Sequence, residues 1–290
     1  MFSGALTAIV TPFRDGAVDE RALRDLIEWQ IASRIDGIVP CGSTGESATL
    51  SHAEHERVIK LTVEQVRKRV PVVAGTGSNS TAEAIRLTAS AREMGADGAL
   101  LISPYYNKPT QDGIFKHYKM IAESVDLPLI VYNIPGRTGS NIAPETFARL
   151  CEVKNVVGIK EASGSMDQVS DIRRLCGDRL AILSGDDALT LPIIALGGKG
   201  VISTSSNAVP GEMHELAASA LAGDFARARE THYRMLPLMR ALFVETNPIP
   251  IKQALAFMGK CSNEMRLPLV PMTQGPAERM KSAMKELRLI

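Results

Sequence analysis

Eight short apolar runs, each leading into a segment with helical spacing, set the strongest limit on what this chain can become. They are ALTAIV (5–10), GIVPC (37–41), VPVVAG (70–75), GALLIS (98–103), LPLIVY (127–132), VVGIKE (156–161), LAILSG (180–185) and GVIST (200–204). These runs are nearly continuous in Val, Ile, Leu and Ala, the pattern of strands buried on both faces. The segments between them carry a single apolar stripe. In ERALRDLIEWQIAS, Leu23, Leu26, Ile27 and Ile31 mark one face; TAEAIRLTASAREMGAD repeats the pattern and closes with Gly95 after its last turn. Strands alternating with such helices build a parallel sheet under helical cover. An open doubly wound sheet is the competitor, and a count of eight favours a closed (β/α)8 barrel.

From about residue 211 the strand pattern stops. GEMHELAASALAG, DFARARETHYRMLPLMRALF and AERMKSAMKELRL all read as helices. The chain therefore predicts a (β/α)8 TIM barrel over residues 1–210 that carries the active site, with a C-terminal helical extension over 211–290 packed on it. At 290 residues, 45% apolar and 22% charged, there is ample material for one large core. A net charge of +1, with scattered Lys and Arg, gives no footprint for nucleic acid. The uncharged run 1–13 is too short to cross a bilayer and lacks a cationic front end, so neither a membrane helix nor a signal peptide is read. Cys41, Cys151, Cys176 and Cys261 are widely spaced with no C-x-x-C pair, which fits free thiols in a reducing compartment and a cytoplasmic protein.

In a barrel, chemistry gathers where strands end. Among those ends, Lys160 is the one lysine inside a strand. A strand-end lysine is explained blandly by a buried stem with its ammonium in water. The alternative is a desolvated amine of lowered pKa, neutral often enough to attack a carbonyl and form a Schiff base. Tyr132 ends the adjacent strand, and its phenol is suited to proton transfer; alone, it reads equally as a core aromatic. GSTGE (42–46) is a glycine-bounded turn with hydroxyls and exposed amides, a nest for a carboxylate or phosphate, or else an ordinary turn with Thr44 or Ser47 capping the next helix.

Several other signals read as structure. GTGSNS (75–80) lacks the third glycine of a dinucleotide loop. SGDD (184–187) reads as a cap for a helix near Ala188 rather than a metal site, and LGGKG (196–200) as a turn at the barrel floor. His52 and His55 form H-x-x-H without further ligands at fitting spacing, so no metal is expected and a solvated helix face is the default.

Together these motifs are familiar. MFSGALTAIVTPF, GSTGESATLSHAEH, AGTGSNSTAEAI, SPYYNKPTQDGIFKHY, YNIPGRTG, GIKEASG, LSGDD and FVETNPIPIKQAL closely resemble the dihydrodipicolinate synthase family, within the N-acetylneuraminate lyase superfamily of class I aldolases. The resemblance spans almost the whole chain. It implies condensation of pyruvate with L-aspartate 4-semialdehyde to (4S)-4-hydroxy-2,3,4,5-tetrahydrodipicolinate, the first committed step of lysine and diaminopimelate biosynthesis, without a cofactor. It makes Lys160 the Schiff-base lysine, Tyr132 the proton donor and acceptor, and Ser43 and Tyr106 the rest of a proton relay, with Tyr106 reaching into a neighbouring subunit. Thr44, Ile202 and nearby Gly185 match pyruvate-holding positions, and Arg137 the receiver of the semialdehyde carboxylate. Ala48, His52, His55, Asn79, Glu83 and Tyr105 match a site for inhibitory L-lysine at a subunit interface, in a homotetramer built as a dimer of dimers.

One position departs from the pattern: Ser43 stands where the family usually has threonine. The hydroxyl survives, but GSTGE also occurs in the lyase branches. The alternatives are therefore a pyruvate-dependent lyase for a 2-keto-3-deoxy sugar acid or N-acetylneuraminate, and a non-catalytic lysine-sensing barrel. Arg137, a guanidinium suited to bidentate capture of a carboxylate, favours the semialdehyde, and the intact Lys160, Tyr132, Tyr106 and Ser43 favour catalysis.

Overall fold

The computed structural model describes residues 2–290. Eight parallel strands form its centre: β1 Gly4–Ala8, β2 Gly37–Val39, β3 Val73–Gly75, β4 Gly98–Ile102, β5 Leu129–Asn133, β6 Val156–Glu161, β7 Ala181–Ser184 and β8 Gly200–Ser203. β1 pairs with both β2 and β8, the rest pair in sequence from β3 to β8, and a bridge between Ile38 and Val72 joins β2 to β3 and closes the ring. Each expected strand is present; β6 has the expected bounds, and the others differ by one to three residues at an end. The third begins at Val73; Val72 ahead of it bridges to Ile38 and gives its N–H to Asp97 Oδ2.

Side-chain parity explains the unbroken apolar runs. Leu6, Ala8, Val39, Val73, Leu100, Ile130, Leu183 and Ile202 fill the barrel interior. Their neighbours Ala5, Ile38, Leu101, Val131, Ile159, Ile182 and Val201 face the helices. Fully burying each large aliphatic side chain contributes about 1.5–3 kcal/mol.

The helices are α1 Glu20–Ala32, α2 His52–Val66, α3 Thr81–Glu93, α4 Gln111–Ser124, α5 Pro144–Leu150, α6 Met166–Cys176, α7 Thr190–Ala195, α8 Pro210–Leu221, α9 Phe225–Ala241, α10 Ile249–Phe257 and α11 Gln274–Glu286. On α1, Asp19 caps the N-terminus by accepting from Ala22 N, and Leu23, Leu26 and Ile27 are buried as the stripe requires, with Ile31 at its half-buried edge. Gly95 follows α3 at φ +89°, a conformation that favours glycine. α8, the first helix after the strands, packs on β1 and so covers the barrel behind its eighth strand. Beyond it, α9 packs on α8, α11 packs on both α9 and α10, and the three contribute Met235, Ile251, Leu255 and Met280 to the core that also holds Leu23 and Ile38. A short hairpin, Phe13–Arg14 with Ala17–Val18, and a single helical turn at Pro135–Thr138 were not legible as strands or helices in the sequence.

All four cysteines are free; Cys41 and Cys176 are buried, Cys151 and Cys261 half-buried. Among the described residues no helix is long and apolar enough to cross a membrane.

Candidate active site

Tyr132 and Lys160 are Cα partners across β5 and β6, and both side chains take the inward parity of Ile130 and Gly158. One residue on, the pair Asn133 and Glu161 faces outward. There the Asn133 amide donates to the buried Glu161 carboxylate, which also accepts from Ser163 N and Gln168. This outer lock fixes the register of the inner pair.

Lys160 is buried, with its Nζ 4.2 Å from the centroid of the Tyr132 ring. Among the described residues nothing hydrogen-bonds that amine, which lies over the ring face rather than on the phenol oxygen. Burial pushes Lys160 down to about 8 and Arg137 adds to the fall, while the Asp187 carboxyl resists it. Burial pushes the Tyr132 phenol up to about 12, against the pull of Arg137. Near neutral pH the site thus holds an amine close to discharge beside a phenol that keeps its proton. A neutral amine is a nucleophile; a protonated phenol begins as an acid.

The loop after β2 supplies the second wall. Gly45 N bonds Gly42 O and Glu46 N bonds Ser43 O, closing a tight turn. The amides of Ser43 and Thr44 have no partner among the described residues. The next helix is capped by Ser51 in a capping box with Glu54, so neither Thr44 nor Ser47 serves as its cap. Thr44 Oγ1 accepts from Asn247 Nδ2 at 3.0 Å, which leaves the threonine proton free to donate. Two amides and a hydroxyl make a carboxylate nest. Gly75 lets the neighbouring strand approach this loop, since a Cβ there would lie 2.1 Å from Cys41 O.

Ser43, Tyr132 and Arg137 line one cavity of about 540 Å³. Arg137 sits on the turn after β5, and its guanidinium donates to Asn247 O at 2.8 Å, keeping further N–H groups available. Gly185 lies against the Lys160 stem: a Cβ there would be 3.2 Å from Lys160 Cε. Ile202 is buried inside the barrel below the mouth.

Of the histidine pair, His52 is exposed as a solvated face requires, whereas His55 is buried. Ala48, His52, His55, Glu83 and Tyr105 line the same cavity. Asn79 does not, but its amide donates to Tyr105 O. His52 Nε2 meets Glu83 Oε1 at 2.9 Å, and Ser78 and His52 hold the Glu83 carboxyl below the usual range. The buried His55 bonds Gly75 O through Nε2; a carbonyl can only accept, so Nε2 carries the proton and the orphaned Nδ1 is an acceptor. Burial holds this imidazole neutral. Tyr106, by contrast, is 89% exposed at φ +73° and lies outside the cavity of its own chain.

Two residues escaped the sequence reading. Asn247 joins Thr44 to Arg137 from a segment far along the chain; FVETNPIPIKQAL carried the resemblance, but no role was read for its asparagine. Asp187 belongs to SGDD, where only Asp186 acts as the expected cap, accepting from Ala188 N. Asp187 is buried and accepts from Thr204 N, Ser205 N and Ser205 Oγ, which ties the β7 loop to the β8 loop beside Lys160. Among the described residues no group of three or more His, Cys, Asp or Glu side chains is placed to hold a metal ion.

Comparison with known proteins follows the same line. The 4-hydroxy-tetrahydrodipicolinate synthase of Syntrophus aciditrophicus (strain SB) is 60% identical over 290 residues, covering all of both chains. The crystal structure of the chloride-inhibited dihydrodipicolinate synthase from Acinetobacter baumannii complexed with pyruvate superposes with a TM-score of 0.99 at 45% identity, over 100% of each chain. The enzyme from Cyanidioschyzon merolae with lysine bound gives a TM-score of 0.97 at 41% identity, over 100% of this chain and 99% of that one. The profile of the dihydrodipicolinate synthetase family matches residues 1–287. This chain belongs to the dihydrodipicolinate synthetase family.

Proposed function

We propose that this chain condenses pyruvate with L-aspartate 4-semialdehyde through an imine on Lys160 and releases (4S)-4-hydroxy-2,3,4,5-tetrahydrodipicolinate, in lysine and diaminopimelate biosynthesis. The observation that carries the reading is the desolvated Lys160 amine over the ring of Tyr132, a tyrosine that lines one cavity together with Ser43 and Arg137.

The pyruvate carboxylate takes the Ser43 and Thr44 amides and the Thr44 hydroxyl, bringing its C2 to Lys160 above Gly185 and Ile202. Neutral Nζ adds to C2, and the carbinolamine oxygen leaves as water after accepting a proton from Tyr132. The resulting phenolate then takes a proton from the C3 methyl, and the imine electrons move to form the enamine. Arg137 receives the semialdehyde carboxylate, C3 attacks the aldehyde carbon, and the new alkoxide is protonated through Tyr132, Ser43 and Tyr106. The product's own amine next adds to C2. Expulsion of Lys160 Nζ closes the ring as a cyclic imine and returns the free lysine. One water is released for each carbon–carbon bond formed. The protonated imine is the electron sink, so the scheme needs no cofactor.

Pyruvate with borohydride would fix a secondary amine on Lys160, read by mass spectrometry; no added mass on that residue overturns the scheme. The semialdehyde assay, run beside a sugar-acid cleavage assay, separates this reading from the lyase reading that Ser43 leaves open.

L-Lysine is the inhibitor we assign to the imidazole-lined end of the cavity. Glu83 supplies charge for an ammonium, and the exposed His52 stands beside it at 2.9 Å. The exposed Tyr106 supports a second copy whose site it completes, in a homotetramer of paired dimers working in the cytoplasm.

A further inference from the structure

Glu46 and Lys252 form a buried ion pair with Oε1 to Nζ at 2.6 Å, both side chains being 0% exposed. They are separated by 206 positions in sequence, and neither takes part in the steps above. Glu46 is also one of the few non-glycine residues at positive φ, in the left-handed region at φ 53° and ψ 36°. Such a backbone persists where its surroundings over-determine it.

Those surroundings are specific. Glu46 N closes the turn that displays Ser43 and Thr44, and Glu46 O accepts from Thr49 N. Its second carboxylate oxygen faces Arg266 N at 3.4 Å. The Lys252 ammonium lies 4.3 Å from the Phe13 ring centroid, and the Arg266 guanidinium 4.4 Å from the same centroid. Thr11 Oγ1 donates to Gly45 O from the β1 side. Lys252 stands five residues after Asn247, whose amide holds Thr44 Oγ1. One segment, 247–252, therefore grips the turn at both ends, by hydrogen bond at Thr44 and by ion pair at Glu46.

We propose that the Glu46–Lys252 pair is a positioning device for the keto-acid substrate. It holds the left-handed residue that aims the Ser43 and Thr44 amides and hydroxyls, and it makes the C-terminal segment a working part of the barrel mouth. On the pyruvate-imine reading above, its loss weakens pyruvate capture before it slows later steps. A bulk structural role makes a different prediction, because a buried ion pair replaced by neutral groups of similar volume often leaves stability unchanged or improved.

The variants Glu46→Gln with Lys252→Met together, and Glu46→Gln alone, separate the two. We measure thermal midpoint, KM for pyruvate and kcat in the full-length enzyme. The expected result for either folded variant is a KM for pyruvate raised about tenfold to a hundredfold, with a smaller change in kcat and an unchanged KM for the aldehyde. Wild-type KM for pyruvate in a folded double variant overturns the proposal, as does wild-type KM in the single variant if the double variant does not fold. Failure of borohydride trapping in the wild type would instead remove the pyruvate reading itself, so the two failures are distinguishable.

Discussion

Lys160 and Tyr132 face each other across one strand pair with the amine over the ring, 4.2 Å from its centroid. The ring stabilises the ammonium and burial opposes it, and burial wins, bringing the amine down to about 8. The rate of borohydride-trapped imine formation with pyruvate is expected to rise with pH through about 8 and then level off. Tyr132→Phe keeps the ring under the amine and removes the transferable proton. The midpoint then stays near 8 while the trapping rate falls by about 10²–10⁴-fold. A variant at wild-type rate would remove Tyr132 from the proton path.

The same amine is expected to weaken the fold. An ordinary lysine sits at 10.5 and this one at about 8, so between those values the unfolded chain holds a proton that the folded chain has released. Stability from this group therefore rises with pH across that window, and below it the folded state carries the full cost of a buried cation. Lys160→Met removes the cost. At pH 7 the variant is expected to be more stable by about 3 kcal/mol from the shift alone, with the gap closing towards pH 10.5. Denaturant titrations of both proteins at the two pH values read it directly, and equal stability at pH 7 would mean that the amine is solvated.

Much of this site was legible because strand parity is a strict rule. Once VVGIKE and LPLIVY are read as neighbouring buried strands, an inward Lys160 beside an inward Tyr132 follows from the period of two. The nest at 42–46 was legible from its glycines and hydroxyls. What stayed hidden depends on contacts made across long stretches of sequence. Asn247 reaches Thr44 and Arg137 from beyond the last strand, and the Glu46–Lys252 pair joins two segments with no shared motif. Asp187 was masked by Asp186, which does act as a cap. The default solvated face holds for the exposed His52 but not for His55, because the helix pattern does not reveal that the Gly75 carbonyl lies under it.

Arg137 is expected to govern the aldehyde rather than the keto acid. Its guanidinium has one N–H committed to Asn247 O and others free for a carboxylate. Arg137→Lys preserves charge but loses the planar fork, so the KM for L-aspartate 4-semialdehyde should rise roughly tenfold or more, while pyruvate trapping at Lys160 proceeds. Loss of both together would place the arginine in the pyruvate half-site instead.

Glu83 is expected to carry the response to L-lysine. Its carboxylate is held ionised by Ser78 and His52 and faces the cavity that also opens on Ser43 and Tyr132. Glu83→Gln keeps the shape and one of the two acceptor oxygens and removes the charge, which should shift the inhibitory L-lysine concentration upward by about tenfold and leave both substrate KM values in place. Inhibition titrations at fixed substrate provide the check, and unaltered inhibition would move the effector elsewhere.

Tyr106 offers the sharpest test of assembly, because it stands outside its own chain's cavity. If it completes a neighbour's relay, a chain carrying Tyr106→Phe lacks what it gives, and a chain carrying Lys160→Ala lacks what it keeps. Each variant alone has every site defective. A mixed dimer holds one site with both defects and one with neither, since the intact Lys160 of the first chain meets the intact Tyr106 of the second. Co-refolding the two inactive variants is therefore expected to restore activity to about a quarter of wild type, from random pairing of equal amounts in reciprocal dimers. No recovery in a mixture whose mixed dimers are verified by native mass spectrometry would show that Tyr106 serves its own subunit or none.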